Sequence, residues 1–179
     1  MPVSSKAGKA WSMKWIRENE HKINRVLDLG AGAGLYPKYA KQTNRMLTNA
    51  EWIGVEIWQP YIEKYGLNTL YNKVINADIR EFNFEEHGEF DLCILGDVLE
   101  HMTKEESIQV VTKALEYCKR ILVSIPVAHY PQGASEGNPY EVHVKDDWSD
   151  QEVKESFPNI LDSTQEKKIG VYILGKKDF

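Results

Sequence analysis

The segment DLGAGAG, at residues 28–34, is the first place where residue types and spacing suggest chemistry. Glycines let a backbone approach a ligand closely, and the start of a following helix offers free N–H groups. Such a turn binds a dinucleotide, a nucleoside or nothing. A dinucleotide fingerprint needs G-x-G-x-x-G, whereas Gly30, Gly32 and Gly34 give G-x-G-x-G and Leu35 occupies the position of the third glycine.

A glutamate at the end of a second apolar run adds to this signal. Glu56 lies in WIGVEI, 26 positions after Gly30. A carboxylate at such a strand end can accept hydrogen bonds from ribose hydroxyls, although a solvated acid is the plain alternative. The combination of Glu56 with the glycine-rich turn favours a ligand that contains a nucleoside.

Three histidines are candidates for a general base, the role that histidine usually takes when a hydroxyl group reacts. His101 lies in DVLEHM, and His129 and His143 bound the loop HYPQGASEGNPYEVH. His101 is equally compatible with a helix-entry residue held by a local hydrogen bond. The sequence shows no Cys/His metal-ligand spacing, Ser-His-Asp arrangement or phosphate-binding loop, so we expect no metal.

The elements that must position these residues alternate along the chain. Apolar runs predict strands at 25–31, 52–57, 73–76, 90–96 and 120–127, and two more at 160–176 around a turn at 167–168. An N-terminal helical pattern and the capping sequences T-x-x-E (103–106) and S-x-x-E (149–152) predict helices. The helix after Thr103 is expected to pack through Ile108, Val111, Leu115 and Cys118.

This alternation predicts an α/β fold. We expect a Rossmann-like doubly wound sheet of seven strands, mostly parallel, with a terminal antiparallel hairpin and helices on both faces. Ligands bind such sheets outside the carboxyl ends of the strands. The glycine-rich turn, Glu56 and the loops after the later strands should therefore lie together.

Composition and charge limit the kinds of partner that the protein can bind. The net charge of −5 argues against a nucleic acid as the main partner, because phosphate binding needs a basic face. Two cysteines provide no disulfide framework, and no apolar segment has the character of a signal peptide or a membrane span. We therefore expect a cytoplasmic protein without a membrane segment, of undefined oligomeric state.

Five segments in order resemble motifs of the class I S-adenosylmethionine-dependent methyltransferases, and the likeness covers nearly the whole chain. The segments are VLDLGAGAG, GVEI, NADIREFNF, FDLCILGDVLEHM and RILVSIPV. The terminal hairpin is similar to the antiparallel pair that closes the family's sheet. The chain looks like the small stand-alone methyltransferase-domain enzymes, and it lacks the Pro-Pro-aromatic signature of relatives that methylate nucleic-acid amino groups.

The resemblance implies S-adenosylmethionine as the cofactor. Asp28 would orient its methionine part, Glu56 would hold the ribose, and Asp78 would lie near the adenine amino group. The full set that the resemblance implies for cofactor binding is Asp28, Gly30, Ala31, Gly32, Glu56, Ile57, Asp78, Ile79, Gly96 and Asp97.

The acceptor side is expected to lie under the loop that follows the fifth strand. Tyr130 and Tyr140 would form its walls, and His129 or His143 would be the polar contact, with His101 also near the acceptor. Trp11 and Trp15 are further candidates from the N-terminal helix, although aromatic residues at helical spacing usually pack a helix against the core.

The function implied is methyl transfer to an oxygen or nitrogen atom of a small-molecule acceptor, by in-line displacement at the carboxyl edge of the sheet. The alternatives are methylation of a protein or RNA, a non-catalytic cofactor-binding domain and, less favoured because of Leu35, a nicotinamide-dependent oxidoreductase. We expect a single domain at 1–179. It would comprise an N-terminal helix (1–22), a cofactor-binding core (25–127), an acceptor-side loop (128–147), and a helix with the hairpin (148–179).

Overall fold

A mixed sheet of seven strands organises the computed structural model, which describes residues 5–176. Residues 1–4 and 177–179 of the expected domain lie outside the described part. The strands are β1 (Arg25–Leu29), β2 (Glu51–Val55), β3 (Lys73–Ile75), β4 (Phe90–Gly96), β5 (Cys118–Pro126), β6 (Ile160–Glu166) and β7 (Ile169–Gly175). Their order is β3-β2-β1-β4-β5-β7-β6, and β7 is antiparallel to both of its neighbours. The predicted fold class is confirmed.

Six α-helices surround the described sheet. They are α1 (Lys9–Asn19), α2 (Leu35–Pro37), α3 (Gln59–Lys64), α4 (Leu67–Leu70), α5 (Lys104–Tyr117) and α6 (Asp150–Ser156). A π-helical segment, Lys38–Thr43, continues α2. Within residues 5–176, no helix is long and apolar enough to span a bilayer.

The register of the parallel strands brings four of their carboxyl ends to one edge. Leu29 pairs with Val55 across β1 and β2, and Gly96 pairs with Ser124 across β4 and β5. Strand order reverses between β1 and β4, because β2 and β3 extend the sheet in one direction and β5 extends it in the other. A crevice at such a reversal is where open α/β sheets bind ligands.

Both faces of the sheet are covered, which explains why its central strands are apolar almost throughout. Successive strand residues point to opposite faces, so Leu27 joins a core with α5 and α6 while Val26 joins a core with α1 and α4. At the start of α1, the Gly8 amide donates to Glu166 Oε2 at 2.8 Å. The N-terminal helix is thereby attached to the terminal hairpin.

The capping sequence at Thr103 forms as predicted. Thr103 Oγ1 accepts from the Glu106 amide at 3.2 Å, and Glu106 Oε2 accepts from the Thr103 amide at 2.9 Å. The predicted inner face of this helix was wrong at its end, because Cys118 begins β5. Ile108 and Leu115 are only partly buried, and the helix packs chiefly through Ser107, Val110, Val111 and Ala114.

Candidate functional site

A cavity opens at the carboxyl edge of the sheet, beside the reversal of strand order between β1 and β4. The turn after β1, the end of β2 and the loops after β3, β4 and β5 line it. All of the residues that the sequence assigned to cofactor binding are among its lining residues, namely Asp28, Gly30, Ala31, Gly32, Glu56, Ile57, Asp78, Ile79, Gly96 and Asp97. Their individual contacts define what the cavity can bind.

The glycine-rich turn is held against the end of β2. The amides of Gly30 and Ala31 both donate to the Val55 carbonyl at 2.9 Å. Gly30 has a φ of +78°, and a Cβ there would lie 2.5 Å from Val98 Cγ2. Glycine is therefore required by both the backbone conformation and the close approach of the loop after β4.

Glu56 is a buried carboxylate fixed by two backbone amides. Its side chain accepts from the Gly32 amide and from the Trp58 amide, each at 2.8 Å, and the residue is 4% exposed. Burial raises the pKa of Glu56, and the two amide hydrogen bonds oppose that rise. Since a carboxylate has about four lone-pair positions, Glu56 can still accept hydrogen bonds from a ligand.

Asp28 is a second buried carboxyl group, 2% exposed, at the bottom of the cavity. The Tyr71 hydroxyl donates to its Oδ2 at 2.6 Å. Burial raises the pKa of Asp28 to about 7, against the opposing effect of the Tyr71 hydrogen bond. A cationic ligand group would favour the ionised form. The sequence did not predict Tyr71. Gly54 was the available signal, because a Cβ at that position would lie 3.0 Å from the Tyr71 ring.

Asp78 also lines the cavity, at the start of a one-turn 3-10 helix. Its Oδ1 accepts from the Arg80 amide at 2.9 Å, and its carboxylate pairs with the Arg80 guanidinium. The hydrogen bond from Arg80 holds the pKa of Asp78 below its usual range. Arg80 also bonds to Glu106 at 2.8 Å. Arg80, which the sequence analysis did not identify, is thus a positively charged part of the cavity wall.

A buried ion pair supports the end of β4. Asp97 adopts a left-handed φ of +56°. Its Oδ2 lies 3.2 Å from Lys9 Nζ, and its Oδ1 accepts from the Ser124 hydroxyl at 2.5 Å. Burial lowers the pKa of Lys9, but the nearby Tyr36 and Asp97 side chains outweigh it and the net shift is upward. Lys9 is 4% exposed, so α1 contributes a buried ammonium group that periodicity did not reveal.

Two of the three candidate histidines meet at the outer end of the cavity. The rings of His101 and His143 are 4.9 Å apart. His101 Nδ1 lies 3.1 Å from the Val142 carbonyl, and His143 Nδ1 lies 2.5 Å from the Tyr130 carbonyl. A carbonyl can only accept, so each Nδ1 carries the proton and each Nε2 offers a lone pair. Burial lowers the pKa of both imidazoles.

The other acceptor-side candidates divide between the cavity and the rest of the protein. Tyr130 and Tyr140 line the cavity and are partly exposed. His129 lies outside the cavity lining, largely in solvent and 3.8 Å from Asp146. Trp11 and Trp15 do not line the cavity either, and they pack against the α1 side of the sheet instead.

The loop at 128–147 folds back over the sheet edge. The Tyr130 amide donates to the Asp146 carbonyl at 2.8 Å, and the Val144 amide donates to the Glu100 carbonyl at 2.9 Å. On the opposite side, the Tyr140 ring lies 6.1 Å from the Trp58 ring after β2. The loop is therefore attached to both walls of the cavity.

The strand order, the glycine-rich turn and the buried acid at the end of β2 together define a class I methyltransferase fold. The sequence profile of the methyltransferase domain family matches residues 27–124, and the chain belongs to that family. A sequence comparison with curated proteins gives no match.

Solved structures share this fold at low sequence identity. A Pyrococcus horikoshii protein is 17% identical, with a TM-score of 0.69 over 95% of this chain and 88% of its own. An S-adenosylmethionine-dependent methyltransferase from Clostridium acetobutylicum is 15% identical, with a TM-score of 0.65 over 94% and 92%. Magnesium protoporphyrin IX methyltransferase from Synechocystis, solved with bound S-adenosylmethionine, is 16% identical, with a TM-score of 0.62 over 92% and 75%.

Proposed function

We propose that this protein transfers a methyl group from S-adenosylmethionine to an oxygen or nitrogen atom of a small molecule. One observation carries the proposal. A single cavity joins the residues expected to bind the cofactor, contributed by several strand ends, to a pair of histidines with available Nε2 lone pairs. Membership of the methyltransferase domain family supports the same reaction class.

The polar groups of the cavity suit this cofactor. Glu56 is held by two amides and can accept from the ribose hydroxyls. Asp28 is a buried carboxyl group whose charged form a ligand ammonium would stabilise. Gly30 and Gly32 have no side chains, and Ala31 between them has only a methyl group, so a ligand can approach the turn closely. When bound, S-adenosylmethionine supplies an electrophilic sulfonium methyl group.

The chain's own residues then orient the acceptor and receive its proton. With the cofactor bound, the loop at 128–147 would limit water access and orient the acceptor for displacement, which is the main requirement of such a reaction. A hydroxyl acceptor would lose its proton to Nε2 of His101 or His143, which hydrogen bonds at Nδ1 leave unprotonated. An amine acceptor needs only its neutral lone pair.

The charge of the cavity favours a neutral or cationic acceptor over RNA. Among the described lining residues, acidic side chains outnumber guanidinium and ammonium groups by six to one. Burial raises the pKa of four of these acids, Asp28, Glu56, Glu100 and Glu141, which reduces their negative charge but adds no positive charge to the cavity. A phosphate backbone would meet repulsion there. The attachment of the loop to both cavity walls supports a small acceptor over a folded protein surface.

Ligand binding tests the cofactor part of the proposal. S-adenosylhomocysteine at about 100 times its Kd should add about 3 kcal/mol of stability, which raises the Tm of a domain of this size by roughly 5–10 °C. NAD at the same concentration should have no effect. Stabilisation by NAD alone would rule out the proposed cofactor.

Turnover tests the acceptor. Formation of S-adenosylhomocysteine should be measured across panels of small metabolites, peptides and RNA, and only the first panel should give product. His143→Ala should lower turnover on a hydroxyl acceptor while S-adenosylhomocysteine affinity stays constant. His129→Ala, at an exposed site outside the cavity, serves as the matched comparison. Equal turnover of both variants and the wild type would remove His143 from the reaction.

A further inference from the structure

We infer that Glu100, His101 and His143 bind one divalent transition-metal ion at the outer end of the cavity. One potential ligand atom from each of these residues lies within 4.8 Å of those from the other two. Ligands arranged tetrahedrally at about 2.1 Å from a shared metal are about 3.4 Å apart. Binding therefore requires the most distant pair to approach by up to about 1.4 Å, which side-chain rotation allows.

The histidines are already held in the form that a metal needs. Nδ1 of His101 donates to the Val142 carbonyl, and Nδ1 of His143 donates to the Tyr130 carbonyl. Histidines that bind metals almost always donate the other ring N–H to such an acceptor, which sets the tautomer and the ring orientation. In this tautomer Nε2 is the ring atom that can bind a metal, although the Asp97 backbone is a further hydrogen-bond neighbour of the His101 ring.

Glu100 provides independent support, because its carboxylate has an unsatisfied atom. The residue is 2% exposed, and its Oε2 is buried without a hydrogen-bond partner among the described residues. An unpaired buried carboxylate oxygen is costly, and a bound cation would remove that cost. The amides of Val144 and Lys145 donate to the Glu100 carbonyl at 2.9 and 3.1 Å, which holds His143 beside Glu100.

The ligand types select the class of ion. Mg²⁺ and Ca²⁺ prefer sites made of oxygen atoms, whereas two imidazole nitrogens and one carboxylate suit Mn²⁺, Fe²⁺, Co²⁺, Ni²⁺ or Zn²⁺. Two adjacent ligands and a third one 42 positions later match no common metal-binding spacing, which is why the sequence analysis predicted no metal. With an ion bound, the imidazoles would be ligands and could not accept a proton. The ion could instead lower the pKa of an acceptor hydroxyl group, whose proton would pass to solvent.

Cobalt binding tests the inference without any turnover measurement. The full chain, freed of metal with a chelator, should bind one Co²⁺ per molecule in equilibrium dialysis, with visible absorption bands of the bound ion. Mg²⁺ at the same concentration should not displace it. His143→Ala and Glu100→Gln should each weaken Co²⁺ binding at least tenfold, whereas the surface variant His21→Ala should bind as the wild type does.

Each outcome supports or overturns the site. Absence of stoichiometric Co²⁺ binding, or unchanged affinity in His143→Ala, would overturn it. His143 lies in a surface loop, so this variant decides the matter if Glu100→Gln does not fold. Binding of S-adenosylhomocysteine is measured in parallel. A protein that binds the nucleoside but not Co²⁺ refutes the metal site alone, and one that binds Co²⁺ but not the nucleoside refutes the proposed function alone.

Discussion

Replacement of Asp28 by asparagine should stabilise the ligand-free protein at pH 8 much more than at pH 5. Asp28 is buried, and that burial raises its pKa from 3.8 to about 7. The Tyr71 hydroxyl donates to Asp28 Oδ2, and an asparagine carbonyl oxygen can accept the same hydrogen bond. The substitution therefore removes the titration with little change in packing.

The sign follows from proton binding in the two states. Between pH 3.8 and about 7, Asp28 is ionised in the unfolded chain but protonated in the folded protein. The folded state binds more protons in this window, so wild-type stability falls as pH rises and levels off above pH 7. Each pH unit within the window costs about 1.4 kcal/mol. From pH 5 to pH 8, the advantage of Asp28→Asn should grow by about 3 kcal/mol.

Urea denaturation at pH 5, 6, 7 and 8 measures this change directly. Asp91→Asn is the control of opposite sign, because hydrogen bonds from Lys119 and two backbone amides outweigh burial and lower the pKa of Asp91. Asp91→Asn should destabilise the protein, and the size of this effect should not change between pH 5 and pH 8, because Asp91 is ionised in both the folded and the unfolded state over that range. If the advantage of Asp28→Asn varies by less than about 1 kcal/mol over that range, the reasoning about Asp28 is wrong.

Three further predictions concern other parts of the structure. Glu56→Ala should weaken S-adenosylhomocysteine binding at least tenfold in calorimetry, because hydrogen bonds to a charged group contribute about 1.5–3 kcal/mol each; unchanged affinity would place the ribose elsewhere. Gly96→Ala should lower the free energy of unfolding by roughly 1–3 kcal/mol in urea denaturation, because the new Cβ would lie 2.3 Å from the Tyr36 ring. Gly133→Ala is the control and should be near neutral, because its new Cβ would have no atom within 4 Å. Thr103→Ala should lower the free energy of unfolding by about 1 kcal/mol, because it removes the helix cap. Calorimetry should then show a fall in Tm of about 2–4 °C, and an unchanged Tm would contradict this role.

The sequence predicted the position of a strand well where burial on both faces gives that strand an uninterrupted apolar run. The fourth strand was placed at 90–96 and spans Phe90–Gly96, because a strand covered on both faces must be apolar between polar ends. The cofactor-binding residues in the cavity lining came instead from the resemblance to the methyltransferases, whose motifs lie at strand ends. Cys118 was misassigned because the helix and β5 adjoin without a turn, and an apolar residue at that junction suits either element.

Other contacts could not be read from local patterns, because they join residues far apart in the chain. Tyr71 and Asp28 are 43 positions apart, and a single tyrosine after a short helix carries no sign of its partner. Lys9 looks like a solvated residue in sequence. The helical spacing of Trp11 and Trp15 defines one face of α1 but not the surface on which that face packs, and only the tertiary structure supplies this.

The attachment of α1 also limits when the site can be completed during synthesis. The Gly8 amide is 158 residues from its partner Glu166, and Lys9 is 88 residues from Asp97. At about 5–20 residues per second, a ribosome needs about 8–30 s to travel from Gly8 to Glu166. A buried ammonium without its partner is costly, so α1 should dock only after β4 has formed and should be secured by the terminal hairpin. The nascent chain would therefore acquire its ligand-binding edge late in translation.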